Sequence, residues 1–242
     1  MLLLLAGTSE ARRIAGALAA EGIPAVASLA GATRMPEKLA LETRVGGFGG
    51  RQGFIDFLQE NAITAILDAT HPFAAEISAR TANVASSMAI PHLLLLRPPW
   101  RPSQGDDWTM IARESDAARH IAPGSTVFLA TGRQSLEGFA NLEGRRLICR
   151  RIDPPRAPFP YANGTYLLGR GPFTVDDEIA LFEQLGVDVL VVKNAGGESS
   201  RAKLDAARAL SIPVIMIERP PPPAADTVAT VAEALDWVRG LA

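Results

Sequence analysis

The amino-acid sequence predicts an α/β protein built from two Rossmann-like, doubly wound parallel-sheet domains with a cleft between them. In the first hundred residues, a short apolar run, a few small polar residues and a segment of helical periodicity recur in that order, which is typical of βαβ units. The apolar runs are continuous rather than alternating, as in parallel strands that are buried on both faces. A length of 242 residues accommodates two small domains.

The first domain is predicted to span residues 1–100. Its strands are expected at five apolar runs, Leu2–Ala6, Ala25–Leu29, Leu41–Val45, Ala62–Leu67 and His92–Leu96. The intervening helices are expected at Glu10–Glu21, Gly53–Asn61 and Ala74–Ala89. The proline-rich stretch Arg97–Pro102 cannot continue a central strand, so the domain boundary is placed there.

The second domain is predicted to span residues 101–242 and to repeat the same alternation. Its strands are expected at Trp108–Ala112, Thr126–Ala130, Arg146–Arg150, Thr165–Leu168, Val187–Val192 and Pro213–Ile217. Its helices are expected at Ser135–Phe139, Val175–Leu185, Ser200–Leu210 and Val228–Leu241. The proline clusters at 154–160 and 220–223 indicate stiff connectors.

Composition and charge exclude several functional classes. A formal net charge of −2 provides no global basic field, so neither nucleic acid nor an anionic membrane is an expected partner. The single cysteine, Cys149, rules out an intrachain disulfide and favours a cytoplasmic location. No stretch is long enough for a membrane helix, and no metal-binding motif is present, so no metal is expected.

Ligands of open α/β sheets bind beyond the carboxyl ends of the strands, which singles out five stretches of the first domain, at 7–10, 28–34, 46–50, 68–73 and 97–100. The end of the second strand is the most informative, because an NAD site usually places an acidic residue there. The chain has hydroxyls and Arg34 instead, which favours a ribose 2′-phosphate and hence NADPH. The predicted cofactor-binding residues are Gly7, Thr8, Ser9, Glu10, Ser28, Thr33, Arg34, Gly47, Phe48, Gly49, Asp68, Ala69 and Thr70.

Each of these stretches has a simpler interpretation. Thr8 or Ser9 could serve only as a helix N-cap, and Arg34 could be a solvated loop residue. His71 follows the fourth strand and is a candidate proton donor near neutral pH, but a neutral imidazole bonded to backbone is the alternative. Asp68 could equally be a structural anchor for loop amides.

Cations recur after the strands of the second domain and predict a ligand with several carboxylates. A single arginine is usually a surface charge, whereas repeated placement at strand ends indicates one shared crevice. The predicted substrate-binding residues are Arg97, Arg133, Arg170, Lys193, Asn194 and Arg219.

Eight sequence blocks, taken together, resemble the precorrin-6A reductases of cobalamin biosynthesis. They are GTSEAR at 7–12, SLAGATR at 28–34, GGFGG at 46–50, DATHPFA at 68–74, RPPW at 97–100, TGR at 131–133, GPF at 171–173 and KNAGG at 193–197. The resemblance implies NADPH-dependent reduction of one double bond of precorrin-6A to give precorrin-6B. Hydride would come from nicotinamide and a proton from His71, Lys193, solvent or the substrate itself. It also implies possible hand-over of the product to neighbouring pathway enzymes.

Three alternatives stay open at this point. The anaerobic route uses a related reductase on a cobalt-containing precorrin, and the sequence alone does not separate the two substrates. A non-catalytic, NADPH-binding regulatory module and a nucleotide-sugar or anion transferase with two facing lobes are the others. Both predict that NADPH is not consumed in the presence of a tetrapyrrole.

Overall fold

The structure is a computed structural model that describes residues 1–31 and 38–241, with the backbone alone at 133, 134 and 199. The chain forms two compact units. Unit 1 contains Met1–Pro98 together with the segment from Pro220 onwards, and unit 2 contains Pro99–Arg219. The change of unit at Pro98 lies within the proline-rich stretch where the sequence placed a boundary.

Unit 1 begins with five strands and three helices that alternate as expected. The strands are β1 (Leu2–Leu5), β2 (Ala25–Leu29), β3 (Glu42–Val45), β4 (Ala65–Asp68) and β5 (His92–Leu95). The helices are α1 (Ser9–Ala20), α2 (Gly50–Glu60) and α3 (Ala75–Met88). All five strands are parallel, and the side chains of β1 and β4 are completely buried, which explains their unbroken apolar runs.

Unit 2 contains a second parallel sheet. Its strands are β6 (Trp108–Ile111), β7 (Thr126–Ala130), β8 (Arg146–Arg151), β9 (Gly164–Leu168), β10 (Val189–Lys193) and β11 (Val214–Ile217). Two α-helices follow β9 and β10, namely α4 (Val175–Leu185) and α5 (Ala202–Ala209). 3₁₀ helices at Glu114–Arg119 and Arg133–Phe139 follow β6 and β7, so the helix predicted at Ser135–Phe139 is a 3₁₀ helix.

The last part of the chain corrects the predicted domain limits. Strand β12 (Asp226–Val228) pairs with β5 of unit 1, and helix α6 (Val231–Arg239) packs against α1. Ala234 and Val238 of α6 belong to the same core as Ile14 and Leu18 of α1. The assignment of 220–242 to the second domain was therefore wrong. Strand β12 was missed because its sequence, Asp-Thr-Val, contains no apolar run.

The two sheets share one order for five consecutive strands, and a sixth strand joins each sheet at the same edge: it is the last strand of unit 1 and the first strand of unit 2. Unit 1 runs β12-β5-β4-β1-β2-β3, and unit 2 runs β6-β11-β10-β7-β8-β9. The order reverses between β1 and β4 in the first sheet and between β7 and β10 in the second, and ligand crevices form at such positions. The predicted doubly wound parallel architecture is confirmed. Within the described part of the chain, no helix has the length and apolarity needed to cross a membrane.

Candidate functional site

The switch point of unit 1 is formed by the loops that follow β1 and β4. The Thr8 hydroxyl donates to the carbonyl of Ala69 (2.8 Å) and accepts from the backbone N–H of Ala11 (3.1 Å), so one side chain caps α1 and ties both loops together. Gly7 adopts a φ of +143°, which favours glycine. The amino end of α1 therefore opens at this crevice, as an anion site requires.

Asp68 is fully buried at the end of β4. Its Oδ1 accepts hydrogen bonds from the backbone N–H and the hydroxyl of Thr70, at 3.0 and 2.7 Å. The Thr70 hydroxyl also lies 3.3 Å from the hydroxyl of Ser78 on α3. These contacts support the anchoring interpretation, in which Asp68 holds Thr70 in place and does not itself reach a ligand.

His71 is exposed just beyond this anchor. Its Nδ1 accepts from the backbone N–H of Phe73 at 3.3 Å, which requires Nδ1 to be unprotonated. The ring also borders a small cavity of about 20 Å³ beneath Pro220–Pro223. This placement favours a shaping role for His71 over proton donation.

Arg97 and Glu10 form an ion pair inside unit 1. Arg97 Nη1 lies 2.8 Å from Glu10 Oε2, and both side chains are largely buried. Burial lowers the pKa of Arg97, while Glu10 opposes this shift. The Ser9 hydroxyl donates to the same carboxylate oxygen at 3.1 Å. Arg97 thus ties the end of β5 to the first turn of α1, on the unit for which a cofactor was predicted rather than the one for substrate.

Arg44, which lies on β3 at the carboxyl edge of the sheet, is not among the predicted site residues. Its Nη1 donates to the hydroxyl of Ser28 and the carbonyl of Gly46, both at 2.8 Å, and its Nη2 donates to the carbonyl of Gly47 at 2.9 Å. Its guanidinium stacks 4.0 Å from the ring centroid of Phe48. Its position in the sequence could have identified Arg44, because a charged residue inside a predicted strand stands there two positions before a glycine-rich loop.

The glycine loop 46–50 is organised by this arginine and by aromatic packing. Phe48 packs edge-on against Phe54 and Phe57, with centroids 4.7 and 5.2 Å apart, so its ring is part of the core rather than a free platform for a flat ligand. Gly49 is left-handed, with a φ of +74°, immediately before α2. The predicted residues Thr33 and Arg34 lie outside the described residues.

At the switch point of unit 2, Asn194 has a structural role. Its side-chain amide donates to the carbonyl of Trp100 (3.1 Å) and accepts from the Trp100 backbone N–H (2.8 Å). These bonds occupy the buried amide, and we therefore remove Asn194 from the proposed substrate-binding residues. Arg219 donates through Nε to the Asn194 carbonyl at 3.1 Å, which places it at the same edge.

The other predicted cations are distributed along this edge. Lys193 ends β10, with its Nζ 3.8 Å from Glu114 Oε1. Burial lowers the pKa of Lys193, and Glu114 opposes the shift. Arg170 is exposed in the loop after β9. Arg133 begins the 3₁₀ helix that follows β7, and the structure describes only its backbone.

A buried charged group in unit 2 was also missed. Arg150 on β8 makes a bidentate ion pair with Glu178 on α4, and both side chains are buried. The guanidinium lies between the rings of Phe128 and Phe173, at 4.7 and 4.4 Å from their centroids. Lys203, on α5, is the third charge near this pair.

These features define a two-domain, doubly wound α/β protein with a ligand crevice on each sheet. Residues 1–239 match the family model described as precorrin-6x reductase CbiJ/CobK, and the chain belongs to this family. It is 48% identical over 240 residues to the precorrin-6A reductase of Rhodococcus erythropolis, covering 98% of this chain and 96% of that protein. It is 33% identical to the cobalt-precorrin-6A reductase of Priestia megaterium, covering 91% of each.

A solved structure described as CobK precorrin-6A reductase has the same fold. Its TM-score is 0.95 at 39% sequence identity, with 99% of this chain and 96% of that chain covered. Together the comparisons confirm the family, the two-domain fold and an oxidoreductase of cobalamin biosynthesis. The alternatives of a regulatory module and of a transferase are without support.

Proposed function

We propose that this enzyme reduces precorrin-6A to precorrin-6B with NADPH as hydride donor. The choice of NADPH rests on the position of Arg44, whose guanidinium is hydrogen-bonded to the Ser28 hydroxyl at the carboxyl ends of β2 and β3. The chain contains no carboxylate between Ser28 and Arg34 that could accept from a ribose 2′-hydroxyl. A site of this kind favours the 2′-phosphate of NADPH.

The residues of unit 1 fit a dinucleotide. The amino end of α1, capped by Thr8 and held against Ala69, would bind the pyrophosphate. Thr70, anchored by Asp68, would border the nicotinamide ribose. Nicotinamide would supply the hydride, and the role of the chain is to orient it and the tetrapyrrole.

The residues of unit 2 fit a polycarboxylate. Lys193 is the last residue of β10, and Arg133, Arg170 and Arg219 follow the carboxyl ends of β7, β9 and β11. Precorrins carry several acetate and propionate groups, which such cations bind. We propose the cobalt-free precorrin as substrate, because identity to the precorrin-6A reductase of Rhodococcus erythropolis exceeds identity to the cobalt-precorrin-6A reductase of Priestia megaterium.

A cytoplasmic location is proposed on the basis of cysteine chemistry. Cys149 is buried, and burial raises the pKa of its thiol to about 11. A thiol in this environment is protonated and unreactive at neutral pH. Transfer of the product to neighbouring pathway enzymes is likewise proposed, and co-purification with them would test it.

The reaction is tested by following the nicotinamide absorbance of the purified enzyme with NADPH and precorrin-6A. We expect one NADPH to be consumed for each precorrin-6A, with slower turnover of cobalt-precorrin-6A and of NADH. Faster turnover of the cobalt-containing substrate would contradict the choice of substrate. An absence of NADPH oxidation with both tetrapyrroles would contradict the proposed function.

Cofactor preference gives a prediction for Arg44. Replacing it in Arg44→Met should weaken NADPH binding by about 1.5–3 kcal/mol, the usual value for a hydrogen bond to a charged group, and leave NADH binding nearly unchanged. Dissociation constants from quenching of protein fluorescence measure this. Arg34→Met tests the residue that sequence reasoning favoured. Equal losses for both cofactors in Arg44→Met would show that Arg44 only supports the loop.

The two roles considered for His71 differ in kinetics. In His71→Ala we expect a higher KM for NADPH and a kcat reduced by less than about tenfold, because the imidazole shapes the crevice. A general acid would instead lose about 10²–10⁴-fold in kcat, together with a pH dependence near neutrality. Steady-state rates between pH 6 and 9 distinguish the two. The second pattern would overturn the shaping role.

A further inference from the structure

Lys203 of unit 2 places its ammonium beside the loop that follows β10. It lies in the first turn of α5, which follows the carboxyl end of β10 and the 3₁₀ helix Glu198–Ser200. Its ammonium donates to the carbonyl of Ser200 and lies 5.9 Å from the ring centroid of Trp100. The backbone of Trp100 is hydrogen-bonded to the side chain of Asn194, which follows β10. Trp100 and the ammonium of Lys203 therefore lie at the carboxyl edge of the second sheet.

The charge of Lys203 is not balanced by a carboxylate of its own. Glu178 is the nearby acid, but both of its oxygens are engaged by Arg150. Asp205, on the same helix, pairs with Arg201 and Arg208. Within the described ranges, Lys203 makes no ion pair, and one hydrogen bond leaves two of its three donors unused. A partly buried ammonium in this state is suited to receive an anion.

The choice of lysine is itself informative. The chain has three lysines among 24 Lys and Arg residues, and two of them, Lys193 and Lys203, flank the loop after β10. Arginine, used almost everywhere else, offers more donors but stays charged at every accessible pH. Lysine is the cation that can change its protonation state when its surroundings change.

We propose that Lys203 binds a carboxylate of the tetrapyrrole substrate and takes up a proton from solvent as it does so. This inference rests on the proposed function and adds a specific anchor to it. The bond formed is a charge-assisted hydrogen bond between the ammonium and the substrate carboxylate at the carboxyl edge of the second sheet. Lys203 is a substrate-binding residue in this proposal and takes no part in hydride transfer.

The electrostatics of the free enzyme agree with proton uptake. Burial lowers the pKa of Lys203 to about 8, with Glu178 opposing the shift and Arg150 adding to it. A bound carboxylate would raise this pKa again. The affinity that the contact contributes is thus fully present below pH 8 and is lost as the pH rises through the pKa of the complex. Between these two values, binding takes up protons.

Calorimetric titration of the full-length enzyme with precorrin-6A, at pH 8 in two buffers of different ionisation enthalpy, tests the proposal. The wild type should take up roughly half a proton per tetrapyrrole, because a group with a pKa of about 8 is half protonated there. Lys203→Met should lose most of this uptake and bind about tenfold more weakly at pH 7. Lys203→Arg should bind well at both pH values without uptake.

Lys38→Met is the matched control, because Lys38 is exposed on unit 1 and should leave uptake and affinity unchanged. Unchanged uptake in Lys203→Arg and Lys203→Met would overturn the inference, even if the tetrapyrrole binds. If Lys203→Met does not fold, Lys203→Arg decides alone, since it keeps the charge and removes the titration. Failure of the wild type to bind precorrin-6A would instead contradict the proposed function.

Discussion

Replacing Glu178 by alanine is expected to lower the free energy of unfolding of unit 2 by about 3–5 kcal/mol, the usual cost of breaking a buried ion pair. The reason is that Arg150 would keep its charge between two aromatic rings with no carboxylate to neutralise it. Urea denaturation followed by tryptophan fluorescence measures the loss, because Trp100 and Trp108 report on unit 2.

Two variants make this prediction specific. Glu21→Ala removes one of the two carboxylates that pair with Arg239 on the surface of unit 1, and little change in stability is expected because surface pairs are screened by solvent. The double variant Arg150→Met/Glu178→Leu should recover most of the loss, since it removes both charges. A single variant Glu178→Ala as stable as Glu21→Ala would contradict the role assigned to the buried pair.

A second large effect is expected from Gly53→Ala, a substitution inside α2. The added Cβ would lie 1.9 Å from the carbonyl oxygen of Phe48, which is backbone and cannot rotate away. The glycine loop, or the helix, must therefore shift. We expect a loss of about 1–3 kcal/mol in stability, as for other overpacked sites, and at least tenfold weaker NADPH binding.

Gly16→Ala in α1 is the control for this substitution. Gly16 is exposed, and its added Cβ would meet nothing within 4 Å. Because alanine is the better helix former, this variant should be more stable by about 0.5–1 kcal/mol and should bind NADPH as the wild type does. Wild-type NADPH affinity in Gly53→Ala would show that the position of the glycine loop is unimportant for the cofactor.

Most individual elements were predictable because their signals are local. Continuous apolar runs identify buried parallel strands, and ten of the twelve strands begin within two residues of the expected position or coincide with it. Thr8 before α1 was recognisable as an N-cap from its position between a strand and a helix. The strand ends, and with them the edges that carry candidate ligand residues, followed directly from these elements.

The site was only partly predictable, because partners far apart in the sequence decide what each polar residue does. Glu10 was expected to contact a cofactor, but it is paired with Arg97, 87 residues away. Asn194 was expected to contact substrate, but its amide holds Trp100. Nothing in the neighbouring residues reveals such pairings, since burial and hydrogen bonding are settled only when the elements pack.

The fold class, the family resemblance and the stretches at the strand ends were predictable, because apolar periodicity and short motifs are properties of neighbouring residues. Three features became visible only in the folded chain. Strand β12 and helix α6 return to unit 1, Arg44 on β3 reaches Ser28 near the end of β2, and Lys203 lies near a carboxylate that is paired with Arg150. These features could not be predicted because sheet pairing and charge neutralisation join residues that are far apart along the chain, and no short stretch of sequence reveals which residues will meet.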